Sequence, residues 1–249
     1  MKVFLSALEA SYSHVINAAF DKYKYMLCSF YYLRQNIFKQ ILKKSDLMLI
    51  DSGAHSFQKG KQVNWFEYTK KYAKWILEND DDKILGYFEM DIDNIIGYDK
   101  VLELRKILEN VSDKIIPVWH KNRGVEDFKK MCQQYAGKII AITGFKNEDI
   151  RDEQYIMFLK YAKKYNCKVH CLGMTRRKIL DTVPFDFVDS SSWKQQAIHG
   201  RIGNKKVSKE YSKTNMDQVV ISAFKEGIKM QVYYENKWAR VVNQKLTKN

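Results

Sequence analysis

The chain has 249 residues, of which 45% are hydrophobic and 29% charged, a composition typical of one globular domain. No apolar run approaches the roughly 18 residues that a membrane helix needs, and the apolar N-terminal stretch reaches Glu9 too early for a signal peptide, so we expect no membrane contact and a cytoplasmic location. The net charge of +14 favours a polyanionic partner such as nucleic acid, although a general bias toward lysine would also produce it.

A strand followed by an amphipathic helix recurs along the chain. In chain order the pattern predicts strand 2–7, helix 25–43, strand 47–51, helix 65–78, strand 84–91, helix 98–109, strand 114–119, helix 125–135, strand 138–143, helix 149–165, strand 168–173, helix 176–180 and strand 185–189. After the last strand we predict a helix over 215–226 and interpret 229–242 as a hairpin.

Most of the predicted strands are apolar without a period of two, which indicates parallel strands buried on both faces. Their alternation with helices predicts a single-domain α/β fold of the (β/α)8 TIM-barrel type, with an eighth strand that the pattern does not identify. No Gly-x-Gly-x-x-Gly follows the first strand, which argues against a dinucleotide-binding fold. The barrel is expected over about 1–193, and 194–249 is interpreted as a basic loop, a helix and a C-terminal extension.

The four cysteines (Cys28, Cys132, Cys167 and Cys171) show no spacing typical of a zinc site. We therefore expect reduced thiols and no zinc.

Three of the predicted strands end in a carboxylate, at Asp51, Asp91 and Asp189. Active sites of barrels of this type lie where the strands end. A carboxylate at the end of a buried strand is costly unless it is hydrogen-bonded or functional, and a single one often caps the next helix. Three that face one opening indicate a functional site.

Five short segments at the strand ends follow one another: 51–58 (Asp-Ser-Gly-Ala-His-Ser-Phe-Gln), 90–92 (Met-Asp-Ile), 140–144 (Ile-Ala-Ile-Thr-Gly), 170–173 (His-Cys-Leu-Gly) and 185–189 (Phe-Asp-Phe-Val-Asp). In order and approximate spacing they resemble the signature of the tRNA-guanine transglycosylase family. In that family the first segment has the form Asp-Ser-Gly-Gly-Phe-Gln, and the last presents a nucleophilic aspartate. The resemblance covers more than half of the chain and implies a base-exchanging glycosyltransferase on a TIM barrel.

The departures from that family concern zinc and the nucleic acid. Its tRNA-acting members carry a zinc subdomain with Cys-x-Cys-x-x-Cys, whereas no cysteine follows Cys171 here. The loop after Asp189 contains Ser-Ser-Ser-Trp instead of arginine, and the glutamine that reads the base is replaced near Trp119 and His120. This zinc-free form is most similar to the DpdA branch, whose members exchange guanine in DNA for a 7-deazaguanine.

The resemblance therefore implies DNA and a free 7-deazaguanine base, such as 7-cyano-7-deazaguanine, as partners, with tRNA as the alternative. It implies no cofactor and, if a phage encodes the protein, a location in the host cytoplasm.

The resemblance also implies a role for each residue at the strand ends. Asp189 is expected to attack the sugar C1′ and hold the sugar as an ester, and Asp51 to act as general acid and base. The base is expected to contact Asp91, Ser52, Gly144, Trp119, His120 and Gly173. The nucleic acid is expected to contact Trp193, Lys194, Arg201, Lys205 and Lys206. The alternative for this basic stretch is an ordinary solvated surface.

Two other functions are compatible with the same residues. A metal-dependent hydrolase would use a site drawn from Asp51, His55, Asp91, His120, His170 and Asp189. No His-x-His marks the first strand, and His170 falls early in its strand, where a buried hydrogen bond is the simpler interpretation, so we expect no metal. The other alternative is a nucleic-acid-binding barrel without catalytic activity.

Overall fold

The computed structural model describes residues 1–11, 13–19, 23–57, 63–143, 150–203 and 205–246. Nine parallel strands form one sheet in these ranges: β1 (Lys2–Ser6), β2 (Tyr23–Ser29), β3 (Ser45–Asp51), β4 (Ile84–Phe88), β5 (Ile115–Ile116), β6 (Val118–Trp119), β7 (Ile139–Thr143), β8 (Lys168–Leu172) and β9 (Phe187–Ser190). Their order is β5-β4-β3-β2-β1-β9-β8-β7-β6. Only Pro117 separates the two end strands in the chain, so the sheet curls into a nearly closed barrel.

Helices connect most of the successive strands. Those before β9 are α1 (Ser13–Ala19), α2 (Gln35–Lys44), α3 (Trp65–Asn79), α4 (Asp93–Ile96), α5 (Tyr98–Glu109), α6 (Gly124–Gln134), α7 (Asp152–Lys164) and α8 (Arg177–Thr182). After β9 come α9 (Ser192–Ile198), the hairpin of β10 (Arg201–Ile202) and β11 (Lys205–Lys206), α10 (Lys209–Thr214) and α11 (Met216–Leu246). The α/β fold is confirmed, and the barrel-like sheet is compatible with the expected TIM-like barrel.

The missing eighth strand is β2. It pairs in parallel with both β1 and β3, so the prediction of a helix starting at residue 25 is wrong, and α2 begins only at Gln35. The apolar run over residues 25–28 fits a buried strand and a helix equally well, because short apolar runs carry no decisive period. The pairing with two neighbouring strands selects the strand.

The predicted hairpin over 229–242 is also wrong, because α11 continues through it. The side-chain amide of Gln231 donates to the carbonyl oxygens of Val3 (2.7 Å) and Tyr25 (2.6 Å), which joins β1 to β2 on the side where the strands begin. Glu235, one turn further along, accepts a hydrogen bond from the Tyr25 hydroxyl. These contacts stabilise the helix where local β-propensity favours strands. Among the described residues, no helix has the length and apolar character required to cross a bilayer.

Side chains alternate between the barrel interior and the surrounding helices, as the two-residue period of a strand requires. Leu27, Leu49 and Phe187 belong to the cluster that fills the interior. Two residues beyond Leu49 and Phe187, Asp51 and Asp189 therefore continue the inward-facing rows to the ends of β3 and β9. The barrel interior is thus apolar in its middle and carries the carboxyl groups of Asp51 and Asp189 where the strands end.

Candidate active site

A cavity of about 860 Å³ opens where the strands end. Its lining includes a residue from almost every strand end, among them Ser6, Glu9, Ser29, Asp51, Asp91, His120, Thr143, Leu172, Gly173 and Asp189. The structure thus brings the three strand-end aspartates to one opening, as expected from parallel strands. Gly144, which was expected to approach the base, lies outside the described residues.

Asp189 is held through one of its two carboxylate oxygens. Its Oδ1 accepts a hydrogen bond from the Gly173 backbone N–H (2.9 Å) and lies 2.9 Å from Nε2 of His170. Gly173 has a φ of 60°, a left-handed conformation that favours glycine and turns its N–H toward the carboxylate. Among the described residues no hydrogen bond engages Oδ2, so this oxygen is available to a ligand in the cavity.

His170 lies below the cavity and is fully buried. Its ring is in contact with Phe4, Phe88 and Phe187, and its Nδ1 has no hydrogen-bond partner among the described residues. A ring proton on Nε2 fits these contacts, because it then points to Asp189. His170 therefore makes the buried hydrogen bond that its position early in the strand indicated.

The Asp-Ser-Gly segment has a steric reason for its glycine. Gly53 has a φ of 74°, and a Cβ atom there would lie 2.4 Å from the Cβ of Tyr31 and 2.7 Å from Oγ of Ser29. The Gly53 N–H donates to Oδ2 of Asp51 at 2.9 Å. The glycine thus allows a tight turn that fixes the Asp51 carboxyl group at the end of β3.

Asp51 has an unusual acidity. Burial raises the pKa of Asp51 to about 7 from an ordinary value of 3.8, although the Gly53 hydrogen bond acts in the opposite direction. The neighbouring carboxylates of Asp91, Asp189 and Glu9 raise this pKa further. A group with a pKa near neutrality can both donate and accept a proton during turnover.

Asp91 and His120 form a hydrogen-bonded pair at the cavity wall, with Oδ1 and Nε2 2.5 Å apart. Burial disfavours the imidazolium, but the hydrogen bond and charge of Asp91 outweigh it and raise the pKa of His120. Asp91, Asp93 and His120 are also the one group in the described ranges close enough together to hold a metal ion.

In the structure the members of this group are engaged with one another and with a cation. Asp91 and His120 are hydrogen-bonded to each other, and a ring nitrogen that carries a proton does not ligate a metal. Asp93 also lies 3.8 Å from the guanidinium of Arg123, which already supplies a positive charge. The side chain of His55, another proposed ligand, lies outside the described part of the structure.

Trp119 does not line the cavity, which contradicts the predicted base contact. Its ring is fully buried against Phe128 and Phe158, and its indole N–H donates to the Gly124 carbonyl at 3.0 Å. The neighbouring Val118 belongs to the interior cluster, so Trp119 faces the outer helices by strand alternation.

Two further predicted contacts lie away from the cavity. Trp193 is only 4% exposed, because residues 192–198 form α9 instead of a loop and the ring packs on Phe224. Its indole N–H donates to the Ser6 carbonyl at 2.9 Å, so no face is free for a nucleobase. Ser52 is fully buried, and its carbonyl accepts a hydrogen bond from the Tyr68 hydroxyl. These placements contradict the predicted contacts of Trp193 and Ser52.

The predicted basic contacts fall into two groups. Lys194 is partly buried, and its ammonium group donates to the Ala7 carbonyl at 2.7 Å, so it is tied to the segment after β1. Arg201, Lys205 and Lys206 are exposed on the β10–β11 hairpin. Arg201 pairs directly with Lys206, which places both side chains on one face of the hairpin. Only this second group is free to meet phosphates.

Glu9 is a cavity residue that the sequence analysis missed. It is 2% exposed and lines the opening, and its Oε1 accepts a hydrogen bond from the Ser29 N–H at 3.0 Å. Burial raises the pKa of Glu9, while that hydrogen bond and the nearby Lys194 counteract the shift in part. The signal available in the sequence was its position three residues after the first strand.

The cavity therefore combines a carboxylate with one free oxygen, a carboxyl group that titrates near neutrality and a hydrogen-bonded Asp–His pair. This set can support nucleophilic attack and proton transfer at one bound molecule. No protein-family model matches the chain, and no match was found among curated proteins or among solved structures.

Proposed function

We propose that the protein is a glycosyltransferase that exchanges guanine in DNA for a 7-deazaguanine base, such as 7-cyano-7-deazaguanine. The observation that carries the proposal is that Asp189 and Asp51 line one cavity at the strand ends, where burial raises the pKa of Asp51 to about 7. The order of the motifs supports guanine as the target, and the zinc-free form of the signature supports DNA over tRNA. The proposal includes a (β/α)8 TIM barrel without a zinc subdomain.

In the first step, Oδ2 of Asp189 attacks the sugar C1′. A C1′–O bond forms, the bond from C1′ to the guanine nitrogen breaks, and the base leaves with the electron pair while protonated Asp51 supplies a proton. The oxygen bound by Gly173 and His170 becomes the carbonyl oxygen of the ester. The sugar is then stored on the protein.

In the second step, Asp51 accepts the ring N–H proton of the incoming base. The base nitrogen attacks C1′ and the ester C1′–O bond breaks, which returns the Asp189 carboxylate and completes the double displacement. A pKa of about 7 suits Asp51 to both directions of proton transfer. No net proton or electron is consumed in the exchange.

Base recognition falls to the Asp91–His120 pair. Asp91 can accept N–H groups of guanine, and a protonated His120 can donate to its carbonyl oxygen. A guanine inside a duplex must be extruded to reach the cavity, and a cavity of about 860 Å³ lies within the range typical of small-molecule sites. Arg201, Lys205 and Lys206 then offer charges for the backbone phosphates.

The test is to supply labelled 7-cyano-7-deazaguanine with duplex DNA, single-stranded DNA and tRNA in parallel. We expect label in DNA, and label only in tRNA would replace DNA by the alternative substrate. Incorporation into none of the three would overturn base exchange. Activity is expected to survive a chelator, because its loss would support the metal-dependent hydrolase instead.

A further inference from the structure

Two exposed tyrosines follow β2 at the entrance of the cavity. Phe30–Tyr32 form a short 3₁₀ turn after this strand, in which Tyr31 is 37% and Tyr32 48% exposed. Tyr32 also lines the cavity. Ser29 pairs with Asp51 where β2 and β3 end. A half-exposed ring three residues beyond Ser29 therefore lies farther out than the carboxyl group, at the entrance.

A network of ring contacts holds this turn in place. Phe30 packs on Tyr72, with ring centroids 4.9 Å apart. Gly53 lies so near the turn that an added Cβ would be 2.4 Å from the Cβ of Tyr31. The Tyr31 ring also contacts Phe57 edge to face, at a centroid distance of 4.5 Å. The turn is therefore packed against the segment that follows β3, including the glycine at the end of that strand.

The Tyr32 ring has an open face. Its neighbour is Tyr31, at a centroid distance of 4.7 Å and an interplanar angle of 85°. In such an edge-to-face contact, at least one face of each ring stays uncovered by the other. Among the described residues no hydrogen bond engages the Tyr32 hydroxyl, and no other residue that lines the cavity carries a phenyl or phenol ring. The ring is thus fixed in position and available to a flat ligand.

The proposed base exchange indicates which flat ligand meets this ring. When a guanine leaves the stack of bases, each neighbouring base loses a stacking partner. The phosphate backbone connects these neighbours to the sugar at Asp189, so they lie at the entrance of the cavity. The acidic side chains of the opening disfavour a phosphate there, whereas an uncharged base of any identity can stack on an aromatic ring.

We propose that Tyr32 is a stacking subsite for the nucleobase next to the reacting guanine nucleotide. The base lies on the open face of the Tyr32 ring, and Tyr31 keeps that ring in place. The subsite selects no particular base, because every base offers a π-face. It favours a target whose neighbour is intact, and it positions the strand at the entrance of the cavity. The inference rests on the proposed base exchange in DNA.

The experiment uses three single-stranded DNA oligonucleotides with one guanine: an intact one, and two with an abasic residue on the 5′ or the 3′ side of that guanine. We expect at least one abasic residue to lower the wild-type kcat/KM for incorporation of labelled base by about tenfold, the contribution of one base–aromatic stack. Tyr32→Ala should lower kcat/KM on the intact oligonucleotide by a similar factor and remove its advantage over that abasic form. Tyr32→Phe, which keeps the ring, should behave as wild type.

The matched control is Tyr233→Ala, which removes a similarly exposed tyrosine of α11, two residues beyond Gln231. It should leave every ratio unchanged. Equal wild-type kcat/KM values on all three oligonucleotides, or a Tyr32→Ala variant that lowers all three equally, would overturn the subsite. If Tyr32→Ala fails to fold, judged by circular dichroism, Tyr32→Leu provides the same comparison. A wild type that modifies none of the three would instead overturn base exchange in DNA.

Discussion

The two ends of the barrel use their polar groups differently. At the end where the strands begin, the Gln231 side-chain nitrogen donates to the carbonyls of Val3 and Tyr25 and so links two strands, while its own Oε1 is buried without a partner among the described residues. At the end where the strands finish, Asp51, Asp91 and Asp189 line one open cavity, and Oδ2 of Asp189 makes no hydrogen bond among the described residues. The first end thus uses polar groups to join strands, and the second leaves them accessible to a ligand.

Removal of the proposed nucleophile should have the greatest effect on activity. Asp189→Asn should lower base exchange by about four orders of magnitude or more, because an amide does not attack C1′. The Asn carbonyl oxygen can still accept the Gly173 N–H, so binding of the nucleic acid should persist. Incorporation of labelled base and trapping of a covalent adduct measure the effect. Asp186→Asn is the matched control, and Asp189→Asn turnover within tenfold of wild type would identify the wrong nucleophile.

Asp51→Asn tests the acid–base role and should lower activity by about 10²–10⁴-fold. The same variant tests how the stability of the protein depends on pH. Because the pKa of Asp51 is raised to about 7 in the folded protein, folded Asp51 keeps a proton that the unfolded chain releases above about pH 4. Wild-type stability should therefore fall as the pH rises from about 4 to 7. Above pH 7 the variant should be more stable than wild type, by up to about 4 kcal/mol.

Urea unfolding at pH 4 and pH 8 measures this difference. Asp46→Asn, an exposed residue of the same strand, is the control. An Asp51→Asn variant with the wild-type pH dependence would show that Asp51 is not buried in its proton-bound form.

His170 lies between the apolar interior and the cavity, and its ring contacts both the interior phenylalanines and Asp189. His170→Leu removes the donor to Asp189, so kcat should fall by about tenfold or more while KM changes little, since the ring does not reach the cavity. His170→Gln retains an N–H donor and should recover part of kcat. Steady-state kinetics separate the two constants. Equal kcat values for both variants would indicate a packing role only.

Gln231, at the end where the strands begin, should affect stability but not activity. Gln231→Leu leaves the Val3 and Tyr25 carbonyls without their donor, so the free energy of unfolding should fall by about 1–3 kcal/mol. The kcat/KM of the folded variant should equal that of wild type. Urea unfolding and initial rates test both statements, with the neighbouring Val232→Ala as the control. A loss of activity in the fully folded variant would mean that the two ends are coupled.

Sequence reasoning located most of the strands and the aspartates at their ends, because parallel strands leave a plain apolar pattern. It missed β2, since a short apolar run is compatible with a helix and only pairing with β1 and β3 decides. It also missed the continuation of α11, where Gln231 and Glu235 make contacts with residues more than 200 positions away. Local propensity carries no information about such contacts.

The side chains of the site were harder to predict than its strands. Trp193 follows the strand of Asp189 in a polar segment, yet a helix turns its ring into the core against Phe224. Trp119 ends β6, but its side chain faces the outer helices, because the neighbouring Val118 faces the barrel interior. Glu9 lies in an unremarkable stretch, and only the pairing of β1 with β9 and β2 brings it between Asp189 and Asp51. The direction of a side chain depends on whether its residue takes an inward or an outward position in the two-residue period of the strand. Knowing only where a strand ends does not determine that position.

The acidic side chains that line the cavity contrast with the positive net charge of the whole chain. A polyanion is drawn toward a protein of net charge +14, yet the opening itself is lined by Glu9, Asp51, Asp91 and Asp189. For the proposed nucleic-acid substrate, the basic surface attracts the phosphate groups, and an uncharged nucleobase is the part that suits the acidic opening. The same arrangement would make a free mononucleotide, whose phosphate lies close to its base, a poor occupant of the cavity.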